Sequence, residues 1–296
     1  SNGFDEVRAY HSQGDDLVKL WDSAGDDTFF ARPDFVEMSG PGYHNYAKNF
    51  SVVRAYGSVG DDKAVFWDSV GDDAFFGRPD FSQRSGPGFV NYAKGFATVQ
   101  AFAGQGFDTA VFWDSSGNDT VFARPDYTRV DGTGFSNYAK NFEEVGVYAG
   151  LGFDTAVLYD STGNDQFQAT PTSATMSGTG YKNILKKIDE VRAYAGGGED
   201  RATLMGSAGD DEFVGGSHDS VLSGDGFLNY VENFEKLRAY PGDGGMDQAT
   251  LNGSNADDEF YLSSGGSGGT AASLLSLGVL VDVGEFDKVQ TFGGGG

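Results

Sequence analysis

Two columns of aspartates carry the chemistry legible in this sequence. Asp16, Asp62, Asp108, Asp154, Asp200 and Asp247 each stand two residues after a glycine: Gly14, Gly60, Gly106, Gly152, Gly198 and Gly245. Asp27, Asp73, Asp119, Asp165, Asp211 and Asp258 form the second column, each preceded by Asp or Asn. A carboxylate at every copy of a repeated position has two explanations. An Asp side chain can accept backbone N–H groups and hold a turn. Alternatively, the row binds cations. Stacked strands lie about 4.8 Å apart, where two carboxylates repel by roughly 3.5 kcal/mol at an effective dielectric near 20. Such a row needs solvent, amide donors or a bridging cation. Calcium accepts six to eight oxygens in irregular geometry, turn carbonyls included. On the second reading all of these aspartates are metal ligands and Ca²⁺ is the cofactor. On the first they only cap turns.

These columns belong to a tandem repeat. The phrase Trp21-Asp22-Ser23-Ala24-Gly25-Asp26-Asp27 returns with its aspartate at Asp68, Asp114 and Asp160, 46 residues apart. It continues with Gly206 and Gly253 in that place. Phe4, Phe50, Phe96, Phe142, Ile188 and Phe234 keep the same period, and Phe286 follows after 52 residues. Six units and a closing fragment result. Residues 1–262 read as tandem β repeats, and residues 263–296 as a Gly/Ser-rich linker with a divergent closing β segment. Within the unit that starts at Phe50, short alternating runs over 52–56, 64–68 and 74–78 predict strands, with a weaker one near 89–93. Gly-Asp-Asp and Ser-Gly-Pro-Gly phrases separate them as turns. The segment 181–190 has helical spacing but is read as a strand variant, because its counterparts elsewhere are not helical.

The fold class is therefore all-β. A parallel β-solenoid of 46-residue repeats is expected, with one large coil or two coils of about 23 residues per unit. A six-bladed β-propeller is the alternative. In a solenoid each repeat column becomes a ladder. The Val53, Val99, Val145, Val191 and Leu237 column is expected in the core. So are the Tyr56, Phe102, Tyr148, Tyr194 and Tyr240 column and the Phe29, Phe75, Val121, Phe167, Phe213 and Phe260 column. An exposed aromatic face for sugars or ice is the rival. Asn45, Asn91, Asn137, Asn183 and Asn229 are expected to bond each to the next as an amide ladder. Arg and Asp of the Arg32-Pro33-Asp34, Arg78-Pro79-Asp80 and Arg124-Pro125-Asp126 phrases are expected to form surface pairs, and Pro to mark a strand end or edge.

Composition narrows the function. The 296-residue chain has 20 Lys and Arg against 44 Asp and Glu, a net charge of −24, and no Cys. Such acidity repels nucleic acid and anionic membranes. Disulfides and thiolate chemistry are excluded. No apolar run reaches the roughly 18 residues of a membrane span, and no signal peptide opens the chain. His11, His44 and His218 fall in three different columns and make no repeated site. No metalloprotease, phosphate-loop or complete dinucleotide motif is present. Near-equivalent acidic copies suit a scaffold better than the single cleft of a catalyst, so no enzyme is expected.

Gly104-Gln105-Gly106-Phe107-Asp108-Thr109-Ala110 and Gly206-Ser207-Ala208-Gly209-Asp210-Asp211-Glu212-Phe213 resemble the haemolysin-type (RTX) nonapeptide. That resemblance implies Ca²⁺-bound parallel β-rolls in secreted bacterial proteins. It carries over to Gly104, Gly106, Asp108, Gly206, Gly209, Asp211 and their column equivalents. The copies here are not tandem: Asp62 and Asp73 are 11 residues apart, and 35 residues separate Asp73 from Asp108. The whole unit is also similar to long tandem arrays of bacterial surface proteins. The resulting expectation is a non-catalytic extracellular repeat protein: a stalk, adhesin segment or filament subunit stabilised by calcium. End-to-end self-association is an expected partner mode, with the apolar 271–283 segment as a docking surface. A polysaccharide-binding module is the alternative, and a polysaccharide lyase or glycosidase the third reading.

Overall fold

A computed structural model describes residues 5–12, 14–264 and 269–294; the expected repeat start at Phe4 lies outside them. The described residues are strands and turns with no helix. The chain divides into two compact units, residues 1–121 with 126–152, and residues 122–125 with 153–296. Both are β-solenoid, and the propeller is not formed.

One repeat contains five strands: Val52–Tyr56, Lys63–Trp67, Ala74–Gly77, Phe81–Gly86 and Phe89–Lys94. The first lies in one sheet and the second in the other. The last three return to the first sheet as an antiparallel meander. The next repeat, at Thr98–Phe102, then begins in the opposite sheet. Each repeat thus crosses between sheets three times, an odd number. One unit makes one and a half coils, so a given position returns to the same sheet only every second repeat. Both coil counts expected from sequence are corrected by this. Parallel pairs join successive coils, as in Thr28↔Lys63 and Lys63↔Thr98.

The strand Phe81–Gly86 was not legible in its sequence, FSQRSG, because its inward residues are Ser82 and Arg84. The sister strand Phe35–Gly40 places Val36 and Met38 there. The turn after it is the pair Pro87-Gly88, since Gly86 and Phe89 are Cα partners. Gly88 has φ +82°, and Pro followed by a positive-φ Gly is the pattern of a type II turn. The Arg-Pro-Asp phrase is likewise a turn, closed by Arg78 N–H donating to Phe81 O at 2.8 Å. The 181–190 segment begins as the strand Tyr181–Lys186, as expected.

Period-two alternation sorts each strand between core and surface. Val53 and Ala55 point inward, and Ala64 and Phe66 do so in the next strand. In the first unit Phe29, Phe66, Phe75 and Phe112 meet in sequence with ring centroids 5.8–5.9 Å apart. The Val53 column is buried as expected. The Phe29 column is buried through Phe213, whereas Phe260 is half-buried. The Tyr56 column is not core, which corrects that expectation. Tyr56 is three residues from Val53 and so faces outward. Tyr56, Phe102 and Tyr194 are half-buried, and Tyr148 and Tyr240 are exposed. They stack with outer aromatics instead: Trp67 on Phe102 at 4.7 Å, Trp113 on Tyr148 at 4.9 Å, Tyr159 on Tyr194 at 5.2 Å.

The asparagine ladder is also corrected. Consecutive members lie in opposite sheets, so they cannot bond one another. Each buried amide donates to a turn carbonyl 59 residues earlier: Asn91 to Arg32 O at 3.0 Å, Asn137 to Arg78 O at 3.1 Å, Asn183 to Arg124 O at 3.1 Å, Asn229 to Thr170 O at 3.3 Å. The Arg side chains of those turns lie over aromatic rings. Arg32 sits 5.2 Å from the Trp67 ring, Arg78 5.2 Å from Trp113, and Arg124 4.5 Å from Tyr159. In the second unit the apolar 271–283 stretch turns Ala272, Leu274, Val281 and Val283 into its own core. Leu275 and Leu277 are what it leaves exposed.

Candidate metal centre

The two aspartate columns meet each other. Asp27 N–H donates to Asp62 Oδ1 at 2.9 Å, Asp73 N–H to Asp108 Oδ1 at 2.9 Å, and Asp165 N–H to Asp200 Oδ1 at 2.7 Å. The 35-residue gap in the sequence is the length of chain that brings one column onto the other. Glycine makes this approach feasible. Gly60, with φ +144°, lies so close to Gly25 O that any Cβ there would overlap the carbonyl.

A third aspartate completes each group. Within the first unit, Asp22, Asp27 and Asp62 each place a carboxylate oxygen within 4.8 Å of the other two. Asp68, Asp73 and Asp108 do the same. In the second unit the group is Asp160, Asp165 and Asp200. The third members were visible in the repeated phrase but were not singled out as ligands. Their signal was the loss of Asp at Gly206 and Gly253, which marks a position tied to some sites and not others.

Each carboxylate has a turn-holding task. Asp27 accepts from Ser23 N–H at 2.9 Å and from the Ser23 hydroxyl. Asp165 accepts from Ser161 N–H at 3.1 Å and from the Tyr181 hydroxyl at 3.0 Å. Asp22 accepts from Ser58 N–H at 2.5 Å, and Asp68 from Gly104 N–H. The capping reading is therefore real. It leaves oxygens over: Asp62 Oδ2, Asp73 Oδ1, Asp108 Oδ2, Asp160 Oδ2 and Asp200 Oδ2 are buried and receive no hydrogen bond. Asp62 and Asp200 are 1% and 0% exposed, so they are shut off from bulk solvent.

The packing around these groups is tight. A Cβ on Gly40 would fall on Asp27 Oδ1, and one on Gly86 on Asp73 Oδ1. That glycine, fixed again at Gly132, Gly178 and Gly224, gives the carboxylate its room. Burial pushes the carboxyl groups up. Asp160 rises to about 8, from burial first and then the charges of Asp200 and Asp165. Asp62 and Asp200 are also raised, chiefly by burial. Asp108 reaches about 6, with burial opposed first by the hydrogen bond from Asp73 N–H and then by the charge of Arg84.

The remaining column members are placed as follows. Asp119 is buried in the first unit and accepts from Ser115 N–H at 3.0 Å; Asp154 is buried in the second unit. Asp211 N–H donates to Asp247 Oδ1 at 2.8 Å, and both residues are buried, with Gly206 in the third place. Asp16 is exposed and pairs with His11 Nδ1 at 2.7 Å. Asp258 is half-buried and accepts from the Ser254 hydroxyl at 3.1 Å.

Three converging carboxylates with spare buried oxygens form an all-oxygen donor set. Such sets suit hard divalent cations and not soft metals that favour thiolate or imidazole. Two states balance the buried charge: protons on some of the carboxyls, or a bound cation. No family model and no curated protein matches this chain.

Proposed function

We propose that this chain is a non-catalytic, extracellular structural repeat protein, a stalk, adhesin segment or filament subunit, whose interior carboxylate groups bind calcium. One observation carries this reading: the same set of three aspartates recurs in both units, with buried oxygens that no donor satisfies. Recurrence suits a scaffold that is stabilised along its length, whereas a catalyst needs one distinctive cleft. The resemblance of the Gly-x-Asp turns to RTX turns supports calcium and a secreted setting.

Binding of a ligand to the folded state alone stabilises it by mass action, about 2.7 kcal/mol at a hundredfold excess over Kd. For units of this size that is roughly 5–10 °C per site in melting temperature. Thermal melts with excess Ca²⁺ and with EGTA test the reading. The expected result is a clear fall in Tm on chelation that Ca²⁺ restores. Identical melts return the aspartates to turn capping alone.

A second reading is favoured by the outer face. Aromatic pairs such as Trp113–Tyr148, with Arg78 over Trp113, offer flat, partly exposed rings of the kind that stack on sugars. Polysaccharide binding by the monomer, abolished by Trp113→Ala with the melt unchanged, carries that reading.

A further inference from the structure

One of the carboxylate groups differs from its sisters. Beside Asp68, Asp73 and Asp108 lies Arg84, with a side chain 0% exposed. Its Nη2 is 3.5 Å from Asp68 Oδ2, 3.6 Å from Asp108 Oδ1 and 3.9 Å from Asp73 Oδ2. The guanidinium also lies 4.7 Å from the centroid of the Phe142 ring. It lies within ion-pair distance of all three acids at once, without a hydrogen bond to any of them.

The slot that Arg84 fills is defined by the fold. Its Cα partners are Phe75 and Asn91. In the first group the equivalent slot, between Phe29 and Asn45, holds Met38. At Asp160, Asp165 and Asp200 it is Met176, between Phe167 and Asn183. Both methionines are 0% exposed. Neither contributes charge. Unsatisfied buried oxygens occur at all three sites, Asp62 Oδ2 and Asp200 Oδ2 at the methionine sites and Asp73 Oδ1 and Asp108 Oδ2 beside Arg84, so the difference between the sites is the charge in the slot. The Asp211–Asp247 pair reaches a similar reduction differently. It has Leu222 in the slot and Gly206 in place of the third acid. With every carboxyl ionised, the interior charge is thus −3 at the two methionine sites and −2 at the Arg84 site and at the Asp211–Asp247 pair.

We infer that Arg84 is an internal counterion that closes the Asp68–Asp73–Asp108 site to metal, so that a divalent cation enters the Asp22–Asp27–Asp62 and Asp160–Asp165–Asp200 sites but not this one. The inference rests on the metal reading above and adds selectivity among sites that share one backbone. A fixed guanidinium and a divalent cation compete for the same three carboxylates, and both cannot occupy the space.

Replacing Arg84 by the residue of its sister slots opens the site. Calcium bound per chain is counted by native mass spectrometry and calorimetric titration for the whole chain and for Arg84→Met, Asp27→Asn and Asp73→Asn. The expected result is one more ion in Arg84→Met than in the parent, one fewer in Asp27→Asn, and no change in Asp73→Asn. An unchanged count in Arg84→Met beside a lower count in Asp27→Asn overturns the inference and leaves the metal reading standing. A lower count in Asp73→Asn overturns it equally. A parent chain that binds no calcium overturns the metal reading itself. If Arg84→Met does not melt as a folded protein, the contrast between Asp27→Asn and Asp73→Asn decides the question.

Discussion

The Asp22–Asp27–Asp62 and Asp68–Asp73–Asp108 groups lie in the same unit and are built on equivalent strands, turns and backbone hydrogen bonds. They differ in two buried or half-buried side chains: Met38 takes the strand position that Arg84 holds in the other, and Tyr43 the position of Phe89. The backbone amide of Asp27 bonds Asp62 as that of Asp73 bonds Asp108, both at 2.9 Å. The scaffold is therefore indifferent to whether a built-in cation is present. Turn geometry requires the carboxylates, and the buried charge they bring is a separate problem with more than one solution. Retention of all three acids at the methionine site, where Gly206 shows that one can be dropped, is what points to a ligand there.

The strongest way to break this comparison is to take away the carboxylates' space. Gly40→Ala and Gly86→Ala each drive a methyl group into an aspartate oxygen, and the neighbouring Tyr43 or Phe89 ring leaves no alternative. Overpacking of this kind costs about 1–3 kcal/mol, more where the backbone cannot yield. Both variants should lose several degrees in Tm with EGTA present. With calcium present, Gly40→Ala should lose more than Gly86→Ala, because only its site also forfeits an ion. Equal losses in both conditions would erase the distinction between the sites.

A smaller effect concerns pH. In the chelated protein, Asp160 has a folded pKa near 8, well above the usual carboxylate range. The folded state then binds more protons than the unfolded state between about pH 4 and 8. Stability is highest at the acid end of that window and falls as pH rises through it. At Asp108, where Arg84 opposes the burial, the window closes near pH 6. EGTA-treated protein should melt lower at pH 8 than at pH 5. Asp160→Asn should flatten the slope between pH 6 and 8, and Asp108→Asn only the slope below 6. A Tm that rises with pH in EGTA would contradict the raised carboxyls.

Much of this molecule is legible in its sequence because period and alternation are direct consequences of stacking. The repeat, the all-β class and the inward Val53 column all follow from them. Both aspartate columns were legible too, as was the 35-residue gap that joins them. What the sequence hid is parity. A three-strand meander makes the repeat cross between sheets an odd number of times, so columns such as Asn45 and Asn91 never become ladders. The middle strand of the meander is hard to read because Ser82 and Arg84 are polar yet inward, whereas its outer strands are expected at 74–78 and 89–93. Tyr56 was misplaced for a simpler reason: an odd offset from Val53 within one strand puts it on the other face. The third aspartate column stands in the repeated phrase, but nothing in the spacing of Asp22 and Asp62 says that they converge.

On the proposed reading, cations balance the methionine-site carboxylates, while Arg84 balances its own. Crystals grown with calcium and re-soaked in a lanthanide test it directly through anomalous density. Peaks are expected among Asp22, Asp27 and Asp62 and among Asp160, Asp165 and Asp200, with none beside Arg84. Peaks at neither of those sites, or one of equal height among Asp68, Asp73 and Asp108, would contradict the account.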